Sequence, residues 1–213
     1  MLFEPIINVT WHRALAEEYD AQYDISGLMD LDRSLPPTIR EVSESYEALS
    51  RETLFQYVGL GAQHGIKVKH THVDPYLSSD ALFKDLDAGV LRVFQGGELP
   101  DNHPMLKRVF VSLTLNDIFR AVHDFYGHYG SKDSEHYPFA TVARGKDTNG
   151  IGITGEELAY QRHKQMYTKA AWLALTVETR CQTAANNLLP RVVDTGGFIE
   201  QKAIWLPEWC YLT

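Results

Sequence analysis

The residues best placed to do chemistry lie in one run, Asn116-Asp117-Ile118-Phe119-Arg120-Ala121-Val122-His123-Asp124-Phe125-Tyr126-Gly127-His128. Neutral imidazole is the commonest side-chain metal ligand, so His123 and His128 form a candidate pair. Their spacing raises a geometric problem. On a continuous α-helix, residues five apart point about 140° away from each other and share an ion poorly. Gly127 offers a way out, because a glycine can turn left-handed, end the helix and swing His128 back over the last turn. Asp117, Arg120 and Asp124 fall at i, i+3 and i+7, the spacing of a charge ladder on one helix face. Carboxylates so placed can orient ligand imidazoles through their second ring nitrogen. Phe119, Val122, Phe125 and Tyr126 would keep water out. The plainer alternative is two unrelated histidines at a helix C-terminus, where the dipole favours a positive ring.

A second group follows. Thr154-Gly155-Glu156-Glu157 has the pattern of a helix-starting capping box, which would account for both acids without any metal. Glu156 and His163 are seven apart and share a helix face, while Glu157 and Tyr160 lie on the adjoining one. Glu157 and His163 are therefore candidate additional ligands, and Glu157 or Asp124 a candidate catalytic base. His163 also reads as an ordinary surface histidine. Arg180 and Gln182 could bind a substrate carboxylate or phosphate, although such an arginine often pairs with a neighbouring glutamate. His70 and His72 share a strand face, where solvent is the expected neighbour.

These side chains need elements to position them. The pattern predicts a helix over 14–23 and a polar turn over 30–34. A long helix then follows Pro36-Pro37 and ends at a left-handed Gly65. Alternation predicts strands over 66–73 and 90–94, with a short helix over 81–86 between them and a further extended piece over 108–112. Thr114 or Asn116 should cap the helix that carries the first histidine. Residues 129–153 read as a long loop, and one or two helices reach residue 187. Trp205 and Trp209 should pack a short C-terminal turn. The expected fold is α+β: a mainly helical single domain over 1–213, with its small sheet in an α/β part (1–112) and the metal site in a helical part (113–213).

Composition narrows the function. The 213 residues are 44% apolar and 23% charged, ordinary for one folded domain. A net charge of -8 with no clustered Lys and Arg argues against nucleic acid as a partner. The longest basic patch, Lys67-Val68-Lys69-His70, alternates as a solvated strand does. No run approaches the ~18 apolar residues of a membrane span. The first residues lack the charge and apolar pattern of a signal peptide. Cys181 and Cys210 are too few for a disulfide framework, and Cys181 reads as a small buried apolar residue. The expected compartment is the cytoplasm, and the expected partner a small-molecule substrate.

Two resemblances sharpen this. HDFYGH is similar to the HDxxGH motif of the pterin-dependent aromatic amino acid hydroxylases. The run Ala171-Trp172-Leu173-Ala174-Leu175-Thr176-Val177-Glu178 resembles the helix from which that family takes its third iron ligand. The resemblance implies a 2-His-1-carboxylate iron site of His123, His128 and Glu178, with Tyr126 and Trp172 walling the pocket and Arg180 anchoring an anionic group. It covers two short strings, and the family's proline two residues after the second histidine is replaced here by Gly130. Iron is thus implied more strongly than pterin.

A longer match, over about seventy residues, resembles a family found in bacteriophage genomes and large phage polyvalent proteins. NDIFRAVHDFYGH, GEELAYQRHKQMY and TVETRCQ stand there in the same order. It implies ancestry rather than an activity, and a host cytoplasm if phage-encoded. Three functions follow as expectations: a non-haem Fe(II) hydroxylase-like oxidoreductase, a Zn- or Mn-dependent hydrolase, or a non-catalytic accessory protein with a structural metal or none.

Overall fold

The computed structural model describes residues 8–29, 36–76, 78–96, 99–130 and 151–212. The turn expected over 30–34 and most of the loop expected over 129–153 lie outside them. Asn8 opens the first helix, α1 (Val9–Ala21), by accepting a bond from the Trp11 amide, five residues earlier than the apolar periodicity suggested. α2 (Pro37–Ala62) begins with proline in its first turn and ends just before Gly65, whose φ of 68° confirms the left-handed turn.

β1 (Lys67–Thr71), α3 (Ser79–Asp87) and β2 (Val90–Phe94) form one right-sized unit. The strands pair in parallel, Lys67 opposite Val90 and Thr71 opposite Phe94, and a parallel pair needs a crossover helix such as α3. Ser78 caps α3 by accepting from the Ala81 amide. The extended piece expected over 108–112 is not a strand. Arg108 makes a single antiparallel bridge to Thr114, because the chain must turn back there to start the next helix.

Thr114 and Asp117 form a capping box at the head of α4 (Leu115–Val122), which runs directly into a π turn, His123–His128. α5 (Ile151–Lys164) begins three residues before Thr154, so the capping box expected there does not start the helix; the Thr154 side chain lies outside the description. α6 (Trp172–Thr176), a second π turn (Val177–Cys181) and α7 (Gln182–Leu188) make one continuous helix, followed by the short α8 (Pro190–Val193).

α2 packs on α4 and α6, and α1 packs on α7. Leu15, Tyr19, Leu49, Leu60, Leu91, Ile118, Leu175 and Ile204 are fully buried and join these elements in one core, which holds the sheet as well. The C-terminal tail is tied down by Lys202, whose ammonium donates to the carbonyls of Tyr19, Asp20 and Gln22. It thereby satisfies orphan acceptors at the end of α1. Trp205 packs against the core, and Trp209 sits edge-on to Trp11 beside the turn Glu208–Cys210. The fold is therefore α+β, mainly helical and single-domain, with its small sheet in the N-terminal half. No described helix is long and apolar enough to cross a membrane.

Candidate metal centre

The π turn, rather than a left-handed glycine, brings the two histidines together. A π-helix bonds each amide to the carbonyl five residues back, so residues five apart come much nearer to one face than they do on an α-helix. His123 and His128 are the first and last residues of the turn, and their ring centroids are 5.0 Å apart at 84°. Gly127 does not adopt a left-handed φ. Its role is close approach: a Cβ there would stand 2.9 Å from the Ala159 carbonyl oxygen on α5. Gly127→Ala must push the π turn off α5. It is expected to cost about 1–3 kcal/mol in urea unfolding and to weaken metal binding at the same time.

That approach sets the third group. Glu156 lies three residues before Ala159, on the same face of α5. Its Oε2 is 3.5 Å from His123 Nε2, and its Oε1 is 3.5 Å from His128 Nε2. One ligand atom from each of His123, His128 and Glu156 falls within 4.8 Å of the others. Burial pushes the Glu156 carboxyl up, but the charges and ring hydrogen bonds of the two histidines outweigh it and hold the acid well below its ordinary range. Burial also opposes a charged His128, yet Glu156 and Asp124 raise that ring above its ordinary value. The three groups are thus held as a polar cluster at the joint between two helices.

A hydrogen-bond chain fixes which nitrogen of His123 is available. Gln56, on α2, donates its amide N–H to the Met166 carbonyl at 3.2 Å, so its Oε1 must be an acceptor. Oε1 lies 3.2 Å from His163 Nε2, which therefore carries the proton. His163 is fully buried, and burial, with the neighbouring His123 and His128, holds it neutral. Its Nδ1 is then an acceptor, 3.2 Å from His123 Nδ1. His123 donates from Nδ1, which leaves Nε2, the atom beside Glu156, as the ring nitrogen open to a metal. Orientation of a ligand imidazole through its other nitrogen is the usual support of a metal site. Gln56→Leu removes the acceptor at the end of the chain. It is expected to lower metal affinity about 10- to 100-fold with the three ligands intact, measured by calorimetric titration with Zn²⁺.

The remaining candidates are distributed as follows. Glu178 is not in the three-ligand cluster. It sits in the second π turn, accepts a short bond from the Tyr46 hydroxyl and one from Gln182 at 3.1 Å, and lies 3.6 Å from His103 Nε2. Burial raises its carboxyl above the ordinary range. Glu157 accepts from Arg180 Nε at 2.7 Å and Nη2, and is bonded by His12 and Gln161, so it is neither a free base nor a ligand. Arg180 is committed to that pair and to the Trp11 and Tyr160 rings rather than to a substrate. Tyr126 stacks near His163 and Trp172 lies under the Lys164 ammonium; neither borders the cavities at the cluster. The expected Asp117–Arg120–Asp124 ladder does not form, because Asp117 turns back to bond Thr114 and the Gly96 amide. Cys181 and Cys210 are buried free thiols, as expected for Cys181.

Two cavities meet at the cluster. An inner one of about 180 Å³ is bordered by His123, Asp124, Glu156, Glu178, Gln182 and Asn186, among others. An outer one of about 340 Å³ reaches His123, His128 and Glu156 past Asp74, Tyr76 and Arg92. Asp124 borders both, and burial, only partly offset by the two histidines, lifts its carboxyl to about 6. Glu178 therefore shares the inner cavity with the cluster without belonging to it. Comparison with protein-family models, curated proteins and solved structures gives no match. The site must be interpreted from its own geometry.

Proposed function

We propose that His123, His128 and Glu156 hold a divalent transition metal and that the protein is a metal-dependent enzyme acting on a small polar molecule, with Fe(II) hydroxylation as the first reading. The observation that carries this is the convergence of three ligand atoms, with Nε2 of His123 held on the side of the carboxylate while its Nδ1 is taken up by His163. Two histidines and one carboxylate on adjacent elements leave coordination positions open, and the absence of a thiolate in the set suits Fe(II) over softer alternatives. When bound, such a metal supplies Lewis acidity or, as Fe(II), the redox capacity to activate oxygen. The chain's own residues do the rest. The Gln56–His163 chain orients the first ring, the π turn presents the second, and Asn116, Gln182 and Asn186 offer neutral hydrogen bonds to a ligand in the inner cavity. A reducing cytoplasm suits Fe(II) and the two free thiols.

A second reading, hydrolysis with Zn²⁺ or Mn²⁺, is favoured by one feature: the Asp124 carboxylate borders both cavities next to the cluster, where it can take a proton from a water. X-ray fluorescence of purified protein identifies the metal, and oxygen consumption separates the two chemistries. Iron with oxygen uptake supports the first reading, and zinc or manganese without it the second. A protein that copurifies with no metal and gains none on titration, or a His123→Ala/His128→Ala variant that keeps its metal, overturns both.

A further inference from the structure

We propose that Arg120 is the anchor for a carboxylate on the substrate, which makes the substrate a small monoanion spanning the distance from this guanidinium to the metal. The proposal rests on the reading of His123, His128 and Glu156 as metal ligands and names the class of molecule that reading leaves open. Arg120 is on α4, one helical turn before His123 and Asp124, and it borders both cavities at the cluster.

Its bonding is incomplete in a specific way. A guanidinium has five N–H donors in a planar fork. Among the described residues, Arg120 gives one long bond, Nη1 to the Phe94 carbonyl at 3.4 Å, and rests over the Phe94 ring at 5.3 Å. No carboxylate of the described residues lies within ion-pair distance of it. This contrasts with Arg180, which is closed by Glu157, and with Arg92 in the outer cavity, which is paired with Asp85 at 2.5 Å. The arginine beside the cluster is thus held from one side by an aromatic face and left with an unused fork on the other. A carboxylate fills such a fork with two parallel bonds.

Charge selects a monoanion. Glu156 and Asp124 are the acids nearest the cluster, and Asp74 and Asp117 also act on Arg120 from a distance. Asp117 is closed by the Thr114 cap, and Asp74 bonds the Tyr76 amide. Glu156 and Asp124 beside the cluster, with Glu178 across the inner cavity and Asp74 in the outer one, already crowd the site with acids, so a singly charged carboxylate is accommodated more readily than a phosphate dianion. The neutral amides of Asn116, Gln182 and Asn186 add hydrogen bonds without changing that balance.

The test uses the full chain, metal-free and loaded with Zn²⁺. A panel of carboxylates of two to six carbons, each beside its uncharged primary amide, is titrated by isothermal calorimetry into wild type, Arg120→Gln and Arg120→Lys. In the Zn²⁺-loaded protein at least one acid should bind about tenfold more tightly than its amide. Arg120→Gln should abolish that preference, and Arg120→Lys, which keeps the charge without the fork, should restore part of it. Unchanged zinc affinity and circular dichroism show that the variants are folded. No preference for any acid over its amide, or a preference that survives Arg120→Gln, overturns the proposal. Failure of zinc to bind removes the metal reading instead. The metal-free titration then decides alone: a preference lost in Arg120→Gln upholds the anchor, and none overturns it.

Discussion

Glu156→Gln is expected to lose at least about a hundredfold in affinity for Zn²⁺ or Fe²⁺, while Glu178→Gln keeps affinity within about threefold. Residues that merely orient a metal ligand change affinity about 10- to 100-fold, and Glu156 should exceed them because it is the anionic member of its cluster. Both of its oxygens sit 3.5 Å from a ring nitrogen, one on each histidine. Glu178 has other obligations. Its carboxylate is spoken for by the Tyr46 hydroxyl and Gln182, with His103 close by. Titration calorimetry on the two variants separates the geometries. A large loss in Glu178→Gln with a small one in Glu156→Gln would return the third ligand to the later helix and break the argument from the π turn. The folded fraction of each variant, read by circular dichroism, keeps a stability effect from passing as a ligand effect.

The contrast between those two acids shows what a sequence exposes. His123 and His128 are legible as a pair because side-chain type and spacing are written in the chain. The way they meet is not. Five-residue spacing is wrong for an α-helix and right for a π turn, but the extra residue per turn is imposed by packing. Gly127 has to slide against the Ala159 carbonyl, and no local propensity encodes that neighbour. Glu156 looked like a helix-capping residue because Thr154 precedes it by two. Only a helix already under way from Ile151 makes it a mid-turn residue free to face inward. The seven-residue step from Glu156 to His163 was a usable signal, since it puts both on one face toward His123. Gln56 left no signal, because its role depends on the side chain reaching from α2 to His163 and the Met166 carbonyl.

The elements were easier to read than the site. β2 and the capped start of α4 follow from local pattern, whereas the parallel pairing of the two strands is seen only in the structure. The extended piece over 108–112 failed because apolar residues at a chain reversal, Val109 to Leu113, resemble a strand when their hydrogen-bond partners are unseen. α1 began early because Asn8 caps it, a polar signal that apolar periodicity does not weigh.

Arg180→Met is expected to destabilise the fold by about 3–5 kcal/mol, the cost of leaving a buried carboxylate without its cation. Adjacent acids Glu156 and Glu157 point about 100° apart on α5, so one reaches the histidines and the other the helix carrying Arg180. Arg180 is buried, forks onto both Glu157 oxygens, and lies between the Trp11 and Tyr160 rings at 4.2 and 4.6 Å. Removing it strands Glu157 with His12 and Gln161 alone. The double variant Arg180→Met/Glu157→Met removes both charges and should recover most of the loss, since a buried pair is often replaceable by apolar residues of similar volume. The pair also writes a pH dependence. Burial raises the Glu157 carboxyl, but bonds from His12, Arg180 and Gln161 bring it down to about 2, below its ordinary 4.5. A carboxyl depressed in the folded state contributes stability that is complete above the ordinary value and is lost as pH falls from there through about 2. Wild type should therefore lose stability to urea between pH 5 and pH 2, and the double variant should lose less over the same window. An Arg180→Met protein within about 1 kcal/mol of wild type at pH 7 would show that the pair adds little, and would reopen Arg180 as a group available to a ligand.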